Sequence, residues 1–180
     1  AEGEVLQLMN CHDADVDESR YLQVIRYKTA KLFEAASQLG ALLGKVDSAT
    51  EQALAAYGMH LGTAFQLIDD VLDYSGQEVS TGKHLGDDLA EGKPTLPLIY
   101  VMQHGTPEEA ACVRQAIENG GREDFPAVLA AIQRSGALQH ARACAENEAN
   151  LAREAISALG DSIYKKALIE LSVLAVERSN

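Results

Sequence analysis

Between positions 21 and 43, apolar residues recur at helical spacing through Tyr21, Val24, Ile25, Leu32, Ala35, Ala36 and Leu39, and Gly44 follows as a C-terminal stop. The pattern predicts one long helix. A second starts at Ser48, with Glu51 three residues on as a capping box, and runs to about Tyr74, where Ser75 and Gly76 break it. Thr106-Pro107-Glu108-Glu109 opens a third with proline at the first helical position, and Gly120-Gly121 closes it. Residues 125–135, 137–159 and 162–178 read as three more, separated by Gly136 and by Gly160-Asp161, and a shorter helix is predicted over 95–103. With no internal repeat, no low-complexity tract and no strong strand alternation, these elements predict an all-α fold, a single-domain bundle of mostly antiparallel helices. Residues 75–94 stand apart. They are polar, glycine-rich and carry Lys83, Asp87, Asp88, Glu91 and Lys93, the makings of a long functional loop.

Composition narrows the partners. Among 180 residues, 15 Lys and Arg face 27 Asp and Glu, a formal charge of −12 that argues against a nucleic-acid-coating protein. An anionic ligand must then be held by a few placed cations or by a metal. Few aromatic residues, no tryptophan and abundant Ala and Leu favour helices over a β sandwich. The absence of an apolar run of roughly 20 residues, and of a basic-then-apolar leader, leads to the expectation of a cytoplasmic protein with no transmembrane segment. Cys11, Cys112 and Cys144 are widely spaced, so neither a disulfide framework nor a zinc site is indicated.

The segment Phe65-Gln66-Leu67-Ile68-Asp69-Asp70-Val71-Leu72-Asp73 is apolar around most of a helical circumference, which predicts burial. Gln66, Asp69, Asp70 and Asp73 fall at i, i+3, i+4 and i+7 and so share one stripe. Three carboxylates on a buried surface cost several kcal/mol unless a cation neutralises them. All-oxygen ligands of this kind suit Mg²⁺ bridging protein carboxylates to phosphate oxygens. The competing reading is a solvated acidic face. Lys28, with Thr29 beside it, lies on the apolar stripe of its helix, either as a snorkelling side chain or as a cation aimed at the same cavity. Lys83 and Lys93 bracket the acidic loop as further phosphate contacts, and Asp87 and Asp88 as groups holding metal-bound water, or all four are surface charges.

Other chemistries fail on spacing. The run Asp13-Ala14-Asp15-Val16-Asp17 begins like a calcium loop, but Glu18 stands where glycine is needed and Val24 where the closing acid belongs, so it reads as a loop leading into a helix. No histidine follows a glutamate by three residues, and P-loop and hydrolase-elbow motifs are absent. Cys144, in a helix of alternating charge and alanine, is a poor nucleophile.

Four ordered motifs resemble the all-trans polyprenyl diphosphate synthases, especially the bacterial octaprenyl-type members that make quinone side chains. They are Gly3-Glu4-Val5-Leu6-Gln7-Leu8, the stretch from Tyr21 to Phe33 with Lys28-Thr29, the stretch from Phe65 to Tyr74, and Gly82-Lys83 with Gly86-Asp87-Asp88-Leu89-Ala90-Glu91-Gly92-Lys93-Pro94-Thr95-Leu96-Pro97-Leu98. The resemblance covers the first hundred residues well and implies an isoprenoid-synthase helix bundle, a homodimer, and Mg²⁺-dependent condensation of an allylic diphosphate with isopentenyl diphosphate. It implies Asp69 as the direct magnesium ligand, Asp70 and Asp73 as holders of the metal's waters, and Lys28, Thr29, Gln66 and Lys83 as the grip on the allylic diphosphate. Lys28, Asp69 and Lys83 would then serve catalysis. Family members carry a further aspartate-rich motif, followed by arginines, on an earlier helix, which has no counterpart here. The expectation is therefore the C-terminal portion of a synthase, inactive or nearly so by itself. A non-catalytic helical subunit that pairs with a complete synthase is the alternative, and a class I terpene cyclase is a third reading that Lys28-Thr29 and the 92–97 motif disfavour.

Overall fold

A computed structural model describes residues 2–75, 85–120 and 122–178, and every regular element among them is helical. In chain order they are α1 (Glu2–Asn10), α2 (Glu18–Ile25), a π-helical segment (Arg26–Ala30), α3 (Lys31–Leu43), α4 (Ser48–Ser75), α5 (Asp87–Ala90), α6 (Leu96–His104), α7 (Pro107–Asn119), a 3-10 turn (Arg122–Asp124), α8 (Phe125–Ser135), α9 (Ala137–Ala155) and α10 (Ile163–Glu177). The all-α fold predicted from the periodicities is the fold observed.

Helix α4, 28 residues long, is the axis of the molecule, and it is flanked most extensively by α3 and α9. Its neighbours approach closely because they present small groups. Along α9 the inward stripe is Ala137, Ala141, Ala145, Ala149 and Ala152, all fully buried. On the opposite side Gly62 of α4 meets Ala30, and a Cβ at Gly62 would lie 2.6 Å from the Ala30 Cα. Three apolar clusters fill the spaces between elements. One joins α6, α7 and α8 through Leu98, Val101, Ile117, Val128 and Ile132. A second packs Val16, Tyr21 and Ile25 against Leu67, Ile68 and Val71 of α4 and Leu96 and Ile99 of α6. The third holds α10 against α4 and α9 through Tyr57, Leu61, Ala152 and Ile156.

Several helix ends follow their sequence signals. Thr106 and Glu109 form a reciprocal capping box with Pro107 at the first helical position, and Gly120 closes α7 at φ 64°. Asp17 caps α2 by accepting the Arg20 N–H at 2.8 Å, so the acidic run 13–17 does lead into a helix. Elsewhere the structure corrects the sequence reading. The cap of α4 is Asp47, whose carboxylate accepts the Thr50 N–H at 2.8 Å, and not Ser48. Helix α9 stops at Ala155, four residues short of the predicted end. Helix α1 was not predicted. Its large apolar residues Val5, Leu8 and Met9 face outward and its buried residues are Gly3 and Asn10, so no apolar stripe marks it.

The predicted 21–43 helix is interrupted. The π turn at Arg26–Ala30 takes in an extra residue, which rotates everything downstream by about one residue's helical angle, roughly 100°. Leu32 and Leu39, assigned to the buried stripe by uninterrupted periodicity, are 71% and 58% exposed, while Ala30 and Ala41 turn inward.

Candidate functional site

The acidic stripe lies within the last three turns of α4, and its members meet different surroundings. Asp70 is 4% exposed. Tyr21 donates its hydroxyl to Asp70 Oδ2 at 2.7 Å, and Gln66 donates its amide to Asp70 Oδ1 at 2.8 Å. Gln66 in turn accepts the Thr29 hydroxyl at 2.7 Å, so a chain of hydrogen bonds runs from the π segment through Gln66 to the buried carboxylate. Asp69, one residue earlier, lines the same cavity from α4.

That cavity has a volume of about 260 Å³. Asp69, Asp70 and Gln66 form its floor, Lys28 and Thr29 of the π segment one side, and Asp88, Lys93 and Pro94 the other. Val16, Tyr21, Val24 and Ile25 add an apolar wall beside the charged groups. Gln7 and Asn10 of α1 close the rim. Lys28 Nζ donates to Gln7 Oε1 and pairs with Glu4 Oε2 at 3.4 Å, so α1 holds the ammonium group over the cavity. Lys93 pairs with Asp88 at 3.0 Å and with Glu91 at 2.7 Å. The tight crossing of α1 over the π segment depends on Gly3, because a Cβ there would collide with the Lys28 backbone nitrogen.

Electrostatics single out α4. Burial pushes the Asp70 carboxyl up from its ordinary value to about 8, the negative charge of Asp88 adds to this, and the bonds from Tyr21 and Gln66 offset only part of it. Asp73, half-buried, is pushed up to about 7, again chiefly by burial and then by Asp88. Loss of solvation lowers Lys93, but its pairing with Glu91 and Asp88 outweighs this and holds it above the usual lysine range. Among the described residues both side chains that donate to Asp70 are neutral, so ionising this buried group beside Asp88 is costly. A hard divalent ion shared with an anionic ligand would offset that cost, and the donor set, carboxylate oxygens with room for water, fits such an ion.

A scan of family profiles matches residues 1–132 to the Polyprenyl synthetase family. The chain belongs to that family. It is 52% identical over 180 residues to the octaprenyl diphosphate synthase of Haemophilus influenzae and 51% identical over 179 residues to that of Escherichia coli K12, in each case with 99% of this chain aligned to 55% of the relative. Among solved structures it superposes on a polyprenyl synthase of Caulobacter crescentus CB15, complexed with calcium and isoprenyl diphosphate, with a TM-score of 0.93, 42% identity and coverage of 99% of this chain and 55% of that one. The heptaprenyl diphosphate synthase of Staphylococcus aureus gives a TM-score of 0.92 at 30% identity, covering 99% and 56% of the two chains. The chain thus spans about half the length of the family relatives it matches.

Of the residues that the polyprenyl synthase resemblance singles out, Lys28, Thr29, Gln66, Asp69, Asp70, Asp88 and Lys93 line one cavity. Asp73 and Asp87 lie off its lining. Asp73 Oδ2 accepts the Asp88 N–H at 3.1 Å and its carbonyl accepts the Gly86 N–H at 3.0 Å, which ties the end of α4 to the turn before α5. Asp87 pairs with Arg122 on the outer surface. Lys83 lies outside the described residues. The predicted loop 75–94 contains a short helix, α5, entered through Gly86 at φ 78°. Sequence reasoning missed Gln7 and Asn10, which lie on the unpredicted α1, and took Tyr21 as purely apolar although its hydroxyl is the donor to Asp70. It also missed Glu148 of α9, where burial is outweighed by a 2.6 Å contact to His60 and a 3.3 Å pair with Arg26, leaving the carboxyl below its ordinary value. That pair ties the π segment to α9, and only the burial of position 148 in space would have revealed it.

Proposed function

We propose that this chain supplies the wall of a polyprenyl diphosphate synthase that binds and ionises an allylic diphosphate, which is condensed with isopentenyl diphosphate into a long-chain, octaprenyl-type product. The observation that carries the reading is the buried Asp70 beside Asp69, with Lys28, Thr29 and Gln66 around one cavity. The names of the relatives, and the calcium and isoprenyl diphosphate in the Caulobacter structure, support it.

Asp69 would hold magnesium directly, and Asp70 and Asp73 would hold the metal's waters, with Asp88 close behind on the cavity lining. When bound, the ion neutralises charge that develops on the diphosphate as its carbon–oxygen bond breaks. Lys28 exchanges Gln7 and Glu4 for diphosphate oxygens, and Thr29 and Gln66 orient the same group by hydrogen bonds. Lys93 adds a cationic contact, and Lys83, outside the described residues, would add another. The wall of Val16, Val24 and Ile25 keeps water from the allylic cation while the isopentenyl double bond attacks and a proton is lost.

A homodimer is part of this reading. Its support is the row of exposed Leu32, Leu39, Leu42 and Leu43 on α3, an apolar face of the kind that subunits cover. Among the described residues no helix is long and apolar enough to cross a membrane. The site built by these 180 residues contains one acidic stripe, so the chain alone is expected to bind diphosphate without efficient turnover. Calorimetric co-titration of diphosphate and Mg²⁺ tests the binding half. Heat with the native chain that disappears in Asp69→Ala agrees with the proposal, and equal heats in both refute it.

A further inference from the structure

Behind the apolar wall, and outside the lining of the diphosphate cavity, three groups converge from two distant parts of the chain. Glu18 in the first turn of α2, and His140 and Cys144 one turn apart on α9, bring a carboxylate oxygen, an imidazole nitrogen and a sulfur within 4.8 Å of one another. His140 Nε2 is 3.6 Å from Cys144 Sγ and 4.0 Å from Glu18 Oε2. A tetrahedral ion with bonds of about 2.1 Å to nitrogen and about 2.3 Å to sulfur separates those two donors by about 3.6 Å. The imidazole and the thiol are therefore already at ligand spacing. Glu18, whose side chain is 41% exposed, needs only a small torsional movement to join them.

The imidazole is also held in orientation. Its ring stacks on Tyr100 of α6 with centroids 4.5 Å apart, and Tyr100 stacks in turn on His104 at 4.2 Å. Cys144 packs against the cluster containing Val16, Tyr21 and Ile25, so its sulfur is shielded on one side while the Glu18 side stays open to solvent.

We propose that Glu18, His140 and Cys144 form a binding site for a zinc-class divalent cation, with water as the fourth ligand. The nitrogen, sulfur and oxygen donor set selects a borderline-soft ion, in contrast to the all-oxygen donors of the α4 stripe. Coordination exchanges the thiol proton of Cys144, released to solvent, for a sulfur–metal bond. The ion links the start of α2 to the middle of α9. Because Tyr21 lies three residues after Glu18 and donates to Asp70, it also fixes the helix that positions that donor.

Cobalt is the probe, because its absorption reports both geometry and thiolate ligation. Titration of the reduced, chelator-treated chain with Co²⁺ is expected to give the intense visible bands of a tetrahedral ion and a thiolate-to-cobalt charge-transfer band that saturate at one equivalent and are abolished by Zn²⁺. Cys144→Ala and His140→Ala lose these bands at unchanged far-ultraviolet circular dichroism, whereas Asp69→Ala keeps them. The half-buried Glu18→Gln, which keeps the size of the side chain, raises the cobalt dissociation constant by about tenfold, since water can take the vacated position. No charge-transfer band, a band that survives Cys144→Ala, weak six-coordinate absorption alone, or an unchanged affinity in Glu18→Gln overturns the proposal.

Discussion

Asp70 concentrates the energetic problem of the molecule in a single side chain. Its folded-state pKa, about 8, lies above the ordinary carboxyl value of 3.8, so folding favours the protonated form. Below about pH 4 the group costs nothing. As pH rises from there to the folded value, the unfolded chain ionises while the buried carboxyl keeps its proton, so stability is lost across that window. Asp70→Asn removes the ionisation while keeping the shape, so in the absence of divalent ions the variant should gain on the native chain as pH rises from 5 to 8, by an amount on the order of a few kcal/mol. Urea unfolding of both at the two pH values measures this, and parallel pH dependences would contradict it. The acid stripe at 66, 69, 70 and 73 was legible in the sequence because helical spacing alone puts these residues on one face. The role of Tyr21 was not, because a tyrosine on an apolar stripe has the same pattern whether or not its hydroxyl meets a carboxylate 49 residues away.

At the level of elements, the π segment and α1 together set where Lys28 points. The widened turn from Arg26 to Ala30 places Lys28 and Thr29 on the cavity, Glu148 anchors the segment from α9 through Arg26, and α1 crosses it at Gly3. Gly3→Ala would force the two backbones apart, and Gln7 with them. The expected outcome is a protein that folds but binds diphosphate in the presence of Mg²⁺ about tenfold more weakly, equivalent to roughly 1.4 kcal/mol. Unchanged affinity would mean that α1 contributes nothing to the grip. Neither feature could be read from periodicity. A π turn leaves no composition signal, and a helix whose buried face is Gly3 and Asn10 has no apolar stripe to detect. The helices that were legible, α4 and α6 to α10, are those with apolar stripes and a proline, glycine or polar cap residue at an end.

For the whole molecule, an all-α bundle organised on α4 brings acids from its C-terminal half, cations from the π segment and the 92–95 turn, and an apolar wall from α2 to one cavity. The net charge of −12 means that the general field opposes an anionic ligand, so local cations and a metal must carry its binding. The exposed leucines of α3 add a second whole-molecule expectation. Sedimentation should show self-association of the native chain that Leu39→Glu with Leu43→Glu abolishes, and a monomeric native chain would remove the dimer from the account. The central claim, that the buried acids are tolerated because a divalent ion shared with diphosphate sits against them, has a direct test. Crystals grown with Mn²⁺ and diphosphate should show anomalous density within bonding distance of Asp69, beside the Asp70 stripe, with Lys28 moved from Gln7 onto a phosphate oxygen. Manganese found elsewhere, with Lys28 still on Gln7 and Glu4, would contradict the account.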